Sequence, residues 1–545
     1  MTNSFRRLAA LGGLALALAP SAPALAGAAD GDLIIDRGRP GVRPAPAPRR
    51  RPQLKAKPPK AAGAETVQPF VLTRLEVTGS SLPAAAFDKA ARPLIGKTFD
   101  QASIGKVLAA VQTAYADSPV ALPLVTLTEA PGPDGIVRLH VSEGHIAGVA
   151  LAGETNGDLD LVRYYAAKLT LERPLSRRTM ERQLSLIGDI PGLTTTIALG
   201  PGATPDAVDM QLTLDQKRFE TGLRIDSHGV SSLGRIQAQL TLTGYGLTRQ
   251  GDRSELVLAA PSDGRRFFYV AASHQQPIGH DGASIVGSLG YLETHPNNGV
   301  DGEATTGALY VSWPALRGYK TNLVLTGGID GIDSANAQLG EQIASEKVRT
   351  LRGSAGLQRL HDKSSGSVAV TLSAGIDGLG ARSPVPGQAD LDFLKLGLNA
   401  DYVRDLTPNH WLSLGFTGQA SGDRLPTSEQ FVLGGSDYGR AYPSALVSGD
   451  SGVAVKAELG WRPGKLLPKP IDGSEVYGFV DHGWVWARDR PGFPGDDAEL
   501  GSAGAGVRLN LGKNLTVEVE GARAVDDPRP GKDGWAANFG FTLRY

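Results

Sequence analysis

Trp535-Ala536-Ala537-Asn538-Phe539-Gly540-Phe541-Thr542-Leu543-Arg544-Tyr545 is the stretch that decides the fold. Trp535, Ala537, Phe539, Phe541, Leu543 and Tyr545 fall on one side of an extended chain, and Ala536, Asn538, Gly540, Thr542 and Arg544 on the other. The same period of two is found upstream. Leu515, Val517 and Val519 alternate with Thr516, Glu518 and Glu520. Ala503, Ala505, Val507, Leu509 and Leu511 alternate with Ser502, Gly504, Gly506, Arg508 and Asn510. Val453, Val455, Ala457, Leu459 and Trp461 alternate with Ala454, Lys456, Glu458, Gly460 and Arg462. One face is apolar; the other is charged, polar or small. A soluble sheet would hide the apolar face in a core, whereas a membrane barrel turns it to lipid and keeps the polar face on a wet lumen. Length and repetition favour the barrel over a soluble β-sandwich or adhesin. About sixteen such strands fit between Phe219 and Tyr545, most near the roughly 9–11 residues that a tilted spanning strand needs. A last strand that ends on an aromatic can pair with the first and remove the exposed edge. Phe539, Phe541, Leu543 and Tyr545 form the C-terminal barrel signal.

The other end of the chain supplies an address. Arg6 and Arg7, the apolar run Leu8 to Ala19 and the small residues Ala24-Leu25-Ala26 make residues 1–26 a secretory signal peptide. No later segment approaches the roughly 20 uninterrupted apolar residues of a spanning helix. If the remaining chain is integral to a membrane, it is there as a barrel, in the outer membrane of a Gram-negative bacterium. The sequence holds 70 Gly and no Cys, and its formal net charge is −1. The lack of Cys excludes a disulfide-stapled scaffold, and the charge balance gives no argument for nucleic acid.

Between these ends lie three regions. Residues 27–68 read as a linker, since Pro40, Pro44, Pro46, Pro48, Pro52, Pro58 and Pro59 alternate with basic residues. Prolines this dense predict polyproline II or a solvated tether. Residues 69–143 and 144–216 read as two α+β modules that repeat one order, β-α-α-β-β, in roughly 75 residues each. In the first, Phe70 to Val77 is β-prone, Pro83 to Pro93 and Gln101 to Ala116 are helical, and Val120 to Thr128 and Gly135 to Ser142 are strands. Asp100 is the expected N-cap of the second helix. In the second, a strand at His145 to Leu151 precedes helices at Asp158 to Leu169 and Ser176 to Ile187, then strands at Leu193 to Leu199 and Ala207 to Leu214. Residues 217–545 are the barrel.

One barrel connection stands apart. A long loop separates the eleventh strand, near His410 to Ala420, from the twelfth, near Val453 to Arg462. It carries Leu433-Gly434-Gly435-Ser436-Asp437-Tyr438-Gly439-Arg440-Ala441-Tyr442. Glycines beside an arginine and a tyrosine predict a tightly folded tip, and a loop of this length in a barrel is usually functional. The thirteenth strand carries Gly478-Phe479-Val480-Asp481-His482-Gly483. By alternation Asp481 shares the face of Glu475 and Tyr477 and points into the lumen. If the loop folds inward, Arg440 and Asp481 can form a bidentate latch.

Two such modules ahead of a sixteen-stranded barrel resemble the outer-membrane transporters of two-partner secretion, the haemolysin secretion/activation (ShlB/FhaC/HecB-like) family. The modules look like POTRA domains. "VSEGHIAGVALAG" is similar to the junction between them, and "LIGDIPGLTTTIALGPGATPDAVDMQLTL" to the end of the second. The family's loop-six motif, Val-Arg-Gly-Tyr, falls on Gly439, Arg440, Ala441 and Tyr442, following Gly434 and Gly435. Its Phe-x-Asp-x-Gly motif falls on Phe479, Asp481 and Gly483. Two departures stand out. Val and Gly of the loop motif are replaced by Gly439 and Ala441. A proline-rich stretch stands where the family commonly has an N-terminal plug helix, which puts occlusion on the loop.

The resemblance implies export of one large partner exoprotein, adhesin- or haemolysin-like, recognised by the POTRA-like modules. Unfolded partner segments could add to short exposed strands by β-augmentation. Further partners would be outer-membrane lipid and, during biogenesis, the barrel assembly machinery. An alternative is an assembly factor that inserts other outer-membrane proteins, disfavoured by two modules where such factors carry a longer string. A passive porin leaves the modules without a role. Catalysis finds little support in the sequence: there is no Walker A motif, and the nine scattered His form no H-x-x-x-H on a helix and have no Cys beside them for a metal site. No metal or cofactor is therefore expected.

Overall fold

The computed structural model describes residues 53–56 and 69–545, apart from 101–102, 117, 129–133, 156–158 and 526–533. The signal peptide and most of the proline-rich stretch lie outside the described residues. Within that stretch, Gln53–Ala56 forms a strand, β1, where a solvated tether is expected. The four residues fall between Pro52 and Pro58, so every one keeps a backbone N–H for pairing.

Two α+β units follow. The first holds β2 (Phe70–Val71), β3 (Arg74–Thr78), α1 (Ala84–Ala91), β4 (Thr98–Phe99), α2 (Ile104–Tyr115), β5 (Pro123–Leu127) and β6 (Ile136–Glu143). Its sheet runs β3-β6-β5. The strand expected from Phe70 to Val77 is broken in two, because Leu72 N donates to Lys97 O (3.0 Å) and Thr73 N to Gly135 O (2.8 Å) instead of to a ladder. The N-cap of α2 is Ser103, not Asp100. The Asp100 carboxylate accepts from Ser103 N at 2.9 Å and thus closes the turn before the helix. Leu75, Phe87, Val107, Val111, Val137 and Leu139 pack into the core of this unit.

The second unit holds β7 (His145–Glu154), α3 (Asp160–Leu169), α4 (Arg177–Gly188), β8 (Leu193–Pro201) and β9 (Ala207–Gln216). Its sheet runs β1-β8-β9-β7, and β1 lies parallel on the edge of β8. Ser176 caps α4 by accepting from Thr179 N at 3.2 Å. The β9 sequence alternates buried and exposed residues, and its buried Val208, Met210, Leu212 and Leu214 meet Val162, Leu169, Leu184 and Ile187 of the helices. Arg177 ties the two units together by donating to Ser118 O (3.0 Å) and Tyr115 O (2.9 Å).

The remaining strands close into a barrel. In chain order they are β10 (Phe219–Asp226), β11 (Gln237–Tyr245), β12 (Arg253–Pro261), β13 (Phe267–Ile278), β14 (Ala283–Thr294), β15 (Val300–Arg317), β16 (Thr321–Gln338), β17 (Glu341–Leu360), β18 (Ser364–Gly375), β19 (Leu394–Asp405) and β20 (His410–Ser421). A hairpin, β21 (Phe431–Leu433) with β22 (Val447–Gly449), belongs to the long loop and not to the wall. The wall resumes with β23 (Ser451–Trp461), β24 (Glu475–Trp486), β25 (Asp497–Leu511), β26 (Leu515–Ala524) and β27 (Trp535–Arg544). The result is a closed, antiparallel barrel of sixteen strands. β27 pairs with β10, and Thr221 and Tyr545 exchange two backbone hydrogen bonds of 2.9 Å. The chain end thus leaves no free edge.

Alternation sorts the two faces as lipid and water require. Val480 and Val519 are 56% and 57% exposed on the outer face, while their neighbours Asp481 and Glu520 are buried inside. β15, β16 and β17 run to 18, 18 and 20 residues, longer than a span needs. Their surplus stands beyond β18, which pairs only with Thr350–Leu360.

The second unit docks on the turns at the module side of the barrel. Arg317 grips Asp189 with Nε and Nη2 at 2.5 and 2.6 Å. Arg182 of α4 reaches Asp281 (2.7 Å) in the β13–β14 turn, and Tyr319 N donates to Glu181 (3.1 Å). The Tyr164 ring stacks on His280 with centroids 4.3 Å apart. Partial burial works against the Asp281 carboxylate, but hydrogen bonds from Arg182 and Trp313 prevail and hold its pKa below the ordinary value.

Candidate functional site

The eleventh wall strand is β20 and the twelfth is β23, so the long loop lies at the position expected for it. From its hairpin it turns into the barrel. Leu433, Ala441 and Tyr442 join a buried cluster with Tyr477, Phe479, Ala454 and Leu500 of the wall. The tip is folded by its own backbone: Gly434 N donates to Tyr438 O (3.1 Å), Gly435 N to Tyr442 O (3.3 Å) and Tyr442 N to Gly439 O (2.9 Å). Gly439 takes φ +74°, a conformation that a β-branched residue such as the family's valine resists. Ala441 is 2% exposed and not among the positive-φ residues, so its backbone does not require the glycine that the motif has there.

All three residues of the strand motif on β24 touch this tip. The Phe479 ring lies under the Arg440 guanidinium, 4.2 Å from centroid to Cζ. The Asp481 carboxylate accepts from Gly439 N at 2.6 Å and from Ser502 Oγ at 2.6 Å. Gly483 leaves the space that Leu433 fills: a Cβ there would stand 2.7 Å from the Leu433 side chain. Arg440 N donates to Ser502 Oγ (3.0 Å) and Tyr442 OH to Gly501 O (3.0 Å), which ties the same turn to β25.

The pair of Arg440 with Asp481 does not form. Arg440 sends Nη1 to Glu520 (3.0 Å) on β26 and Nη2 to Glu458 on β23. The guanidinium reaches past Asp481 to the level of Phe479, one pleat nearer the modules, and there two lumen carboxylates converge on it. Asp481 is left level with the loop backbone and holds that instead. The latch therefore has two parts, one through the arginine side chain and one through a main-chain amide.

Glu458, Glu520 and Ser502 carry much of this contact and are not singled out by the sequence reading. They sit on three different strands, and only the register of β23 to β26 brings them together. Their signal in the sequence was weak but present, since each is a polar residue on the lumen face of an alternating strand. Arg508 continues the network, with bonds to Glu518 (2.8 Å) and Glu475 (3.2 Å) and its guanidinium over the Tyr477 ring.

A barrel entered by an arginine-tipped loop can be set against known proteins. The family model described as haemolysin secretion/activation protein ShlB/FhaC/HecB matches residues 208–509. The chain belongs to that family. Among curated relatives, the outer membrane transporter CdiB of Escherichia coli strain 536 is 25% identical over 466 residues, spanning 81% of this chain and 77% of the relative. Among solved structures, CdiB from Escherichia coli superimposes with a TM-score of 0.68 at 19% identity, covering 97% of this chain and all 100% of the other. BamA from Haemophilus ducreyi lacking POTRA domains 1–3 gives a TM-score of 0.51 at 13% identity, covering 88% and 99%. These two likenesses concern the fold. Family membership places the barrel in the outer membrane, among transporters rather than passive pores.

Proposed function

We propose that this chain exports one large partner exoprotein, adhesin- or haemolysin-like, from the periplasm to the cell surface by two-partner secretion. The observation that carries the reading is the Arg440 tip held inside a sixteen-stranded barrel by Glu458 and Glu520, in a chain of this family. Residues 69–143 and 144–216 act as POTRA-like modules in the periplasm and residues 217–545 as the conduit, behind a signal peptide at 1–26 and a linker at 27–68. The modules recognise the partner by β-augmentation on their short strands. Gly434, Gly435, Gly439, Arg440, Ala441 and Tyr442 form the gate, and Phe479, Asp481 and Gly483 are its counterpart on the wall. Phe539, Phe541, Leu543 and Tyr545 address the barrel to the assembly machinery. Folding of the passenger outside biases transport outward, since a folded chain is disfavoured from returning. An insertase reading draws only on the fold likeness to BamA and is not preferred. The test is secretion of a large exoprotein encoded beside this chain. Surface display should require this chain. If display is independent of it while many unrelated barrels misassemble in its absence, the export reading is wrong.

A further inference from the structure

The loop meets the wall at a second charged site, remote from Arg440. Its descending limb contains a short turn, Thr427–Glu429, and Glu429 is 2% exposed inside the barrel. One oxygen of its carboxylate takes a hydrogen bond from Arg352 Nη2, and the other lies 2.6 Å from Lys395 Nζ. Lys395 Nζ also donates to Glu429 O (2.8 Å), and Gln419 Nε2 reaches the same carbonyl at 3.0 Å. Arg352 is itself held in a fixed orientation. Its Nε and Nη2 meet Asp330 at 2.6 and 3.1 Å, and Nη1 meets Ser373 Oγ at 3.1 Å. Arg352 and Lys395 face Asp330 and Glu429 in this buried site, and the Glu346 carboxyl of β17 accepts backbone hydrogen bonds from Thr427 and Ser428 of the same turn. Of these ionisable residues only Glu429 belongs to the loop. Asp330, Arg352, Ser373 and Lys395 come from four successive wall strands, β16 to β19, whereas Arg440 is held by β23 to β26.

We propose that this cluster is a second, independent latch, with Arg352 as the residue that positions the descending limb. A wall built to accept a carboxylate has a guanidinium pre-oriented by a second carboxylate, and Asp330 supplies it. Withdrawing Glu429 takes its carboxylate from Arg352 and leaves the largely buried Lys395 without that partner, so the limb does not shift freely while both wall cations are in place. Loss of the Arg440 contacts alone then leaves the loop tethered across the lumen by Glu429. Full opening requires release on both sides. The inference rests on the reading of the loop as the gate of an export conduit.

The test is conductance of the purified full chain in planar bilayers, with electrophoretic heat-modifiability as the check on folding. Neither measurement needs a partner protein, so failure here is separate from failure of the secretion assay. Glu429→Gln changes only the loop side, and Arg352→Met only the wall side. Each should raise mean conductance severalfold while the barrel stays heat-modifiable. Arg352→Lys, which keeps the charge but loses the fork, should fall between these and the unaltered chain. Glu429→Gln combined with Arg440→Met should conduct more than either single variant. The proposal is overturned if Glu429→Gln folds normally and conducts as the unaltered chain does. It is equally overturned if Arg352→Met lowers heat-modifiability without any change in conductance, because Arg352 is then part of the wall's stability alone.

Discussion

Asp481 shows how a single side chain can act on a loop through its backbone. It accepts from Gly439 N and Ser502 Oγ, both at 2.6 Å, and it makes no pair with Arg440. Removing the acceptor leaves a buried N–H and a buried hydroxyl without it, at about 1–3 kcal/mol for each unsatisfied group. Asp481→Ala should therefore lower the resistance of the loop-bound state to urea and release the tip, giving poor secretion from a barrel that still inserts. Asp481→Asn keeps an oxygen for Gly439 N and should be milder. Equal loss in both variants, measured as secretion per folded barrel, would mean that the charge and not the hydrogen bond holds the loop. At this scale the sequence was informative about direction: strict alternation on β24 puts Asp481 inside, where it lies buried. It could not supply the partner. Which carboxylate meets Arg440 depends on how far four strands are staggered, and stagger leaves no mark on any one of them.

At the level of elements, the contact of α4 with the barrel turns couples modules to conduit. Arg317 and Asp189 form a bidentate pair with the arginine side chain only 9% exposed. A charge-assisted pair of this kind contributes on the order of 1.5–3 kcal/mol. Arg317→Ala should let the second unit sway. The chain has no Cys, so single cysteines placed on α3 and on β16 can carry spin labels without background. The distance distribution between them should broaden in Arg317→Ala and stay narrow in the unaltered chain. Acid should broaden it too. The Asp281 carboxyl is held below its ordinary pKa while docked, so its contribution is complete above the undocked value and is lost as pH falls through the docked one. A distribution indifferent to both changes would show that neither the Arg317–Asp189 pair nor Asp281 fixes the unit. The elements themselves were largely readable, because helices and strands of the two units follow local periodicity. The break between β2 and β3 was not, since it depends on bonds to Lys97 and Gly135, far along the chain. Nor was β1, a four-residue strand that forms only because β8 offers it an edge.

For the whole molecule, one pattern of alternation separates two environments: lipid outside the wall and a charged network within it. The count of strands and the place of the long loop could be read from that pattern, because each strand repeats it. The second charged site around Glu429 could not, because its members are scattered over one hundred residues and only barrel closure assembles them. The same pattern fixes where a charge can be tolerated. Val480 lies midway along β24, outward, between inward Phe479 and Asp481. An arginine there would sit in hydrocarbon and cost about 2–4 kcal/mol near the bilayer midplane. Thr326 lies on the lumen face of β16, near Ser312, and an arginine there meets water and polar neighbours. Val480→Arg should reduce the folded fraction recovered in lipid vesicles across a urea series, by a shift matching that cost. Thr326→Arg should leave it within a few tenths of a kcal/mol, the usual range for a polar site away from the core. Equal effects of the two would mean that the outer face of β24 does not meet lipid, and the barrel would have to be placed in its membrane differently.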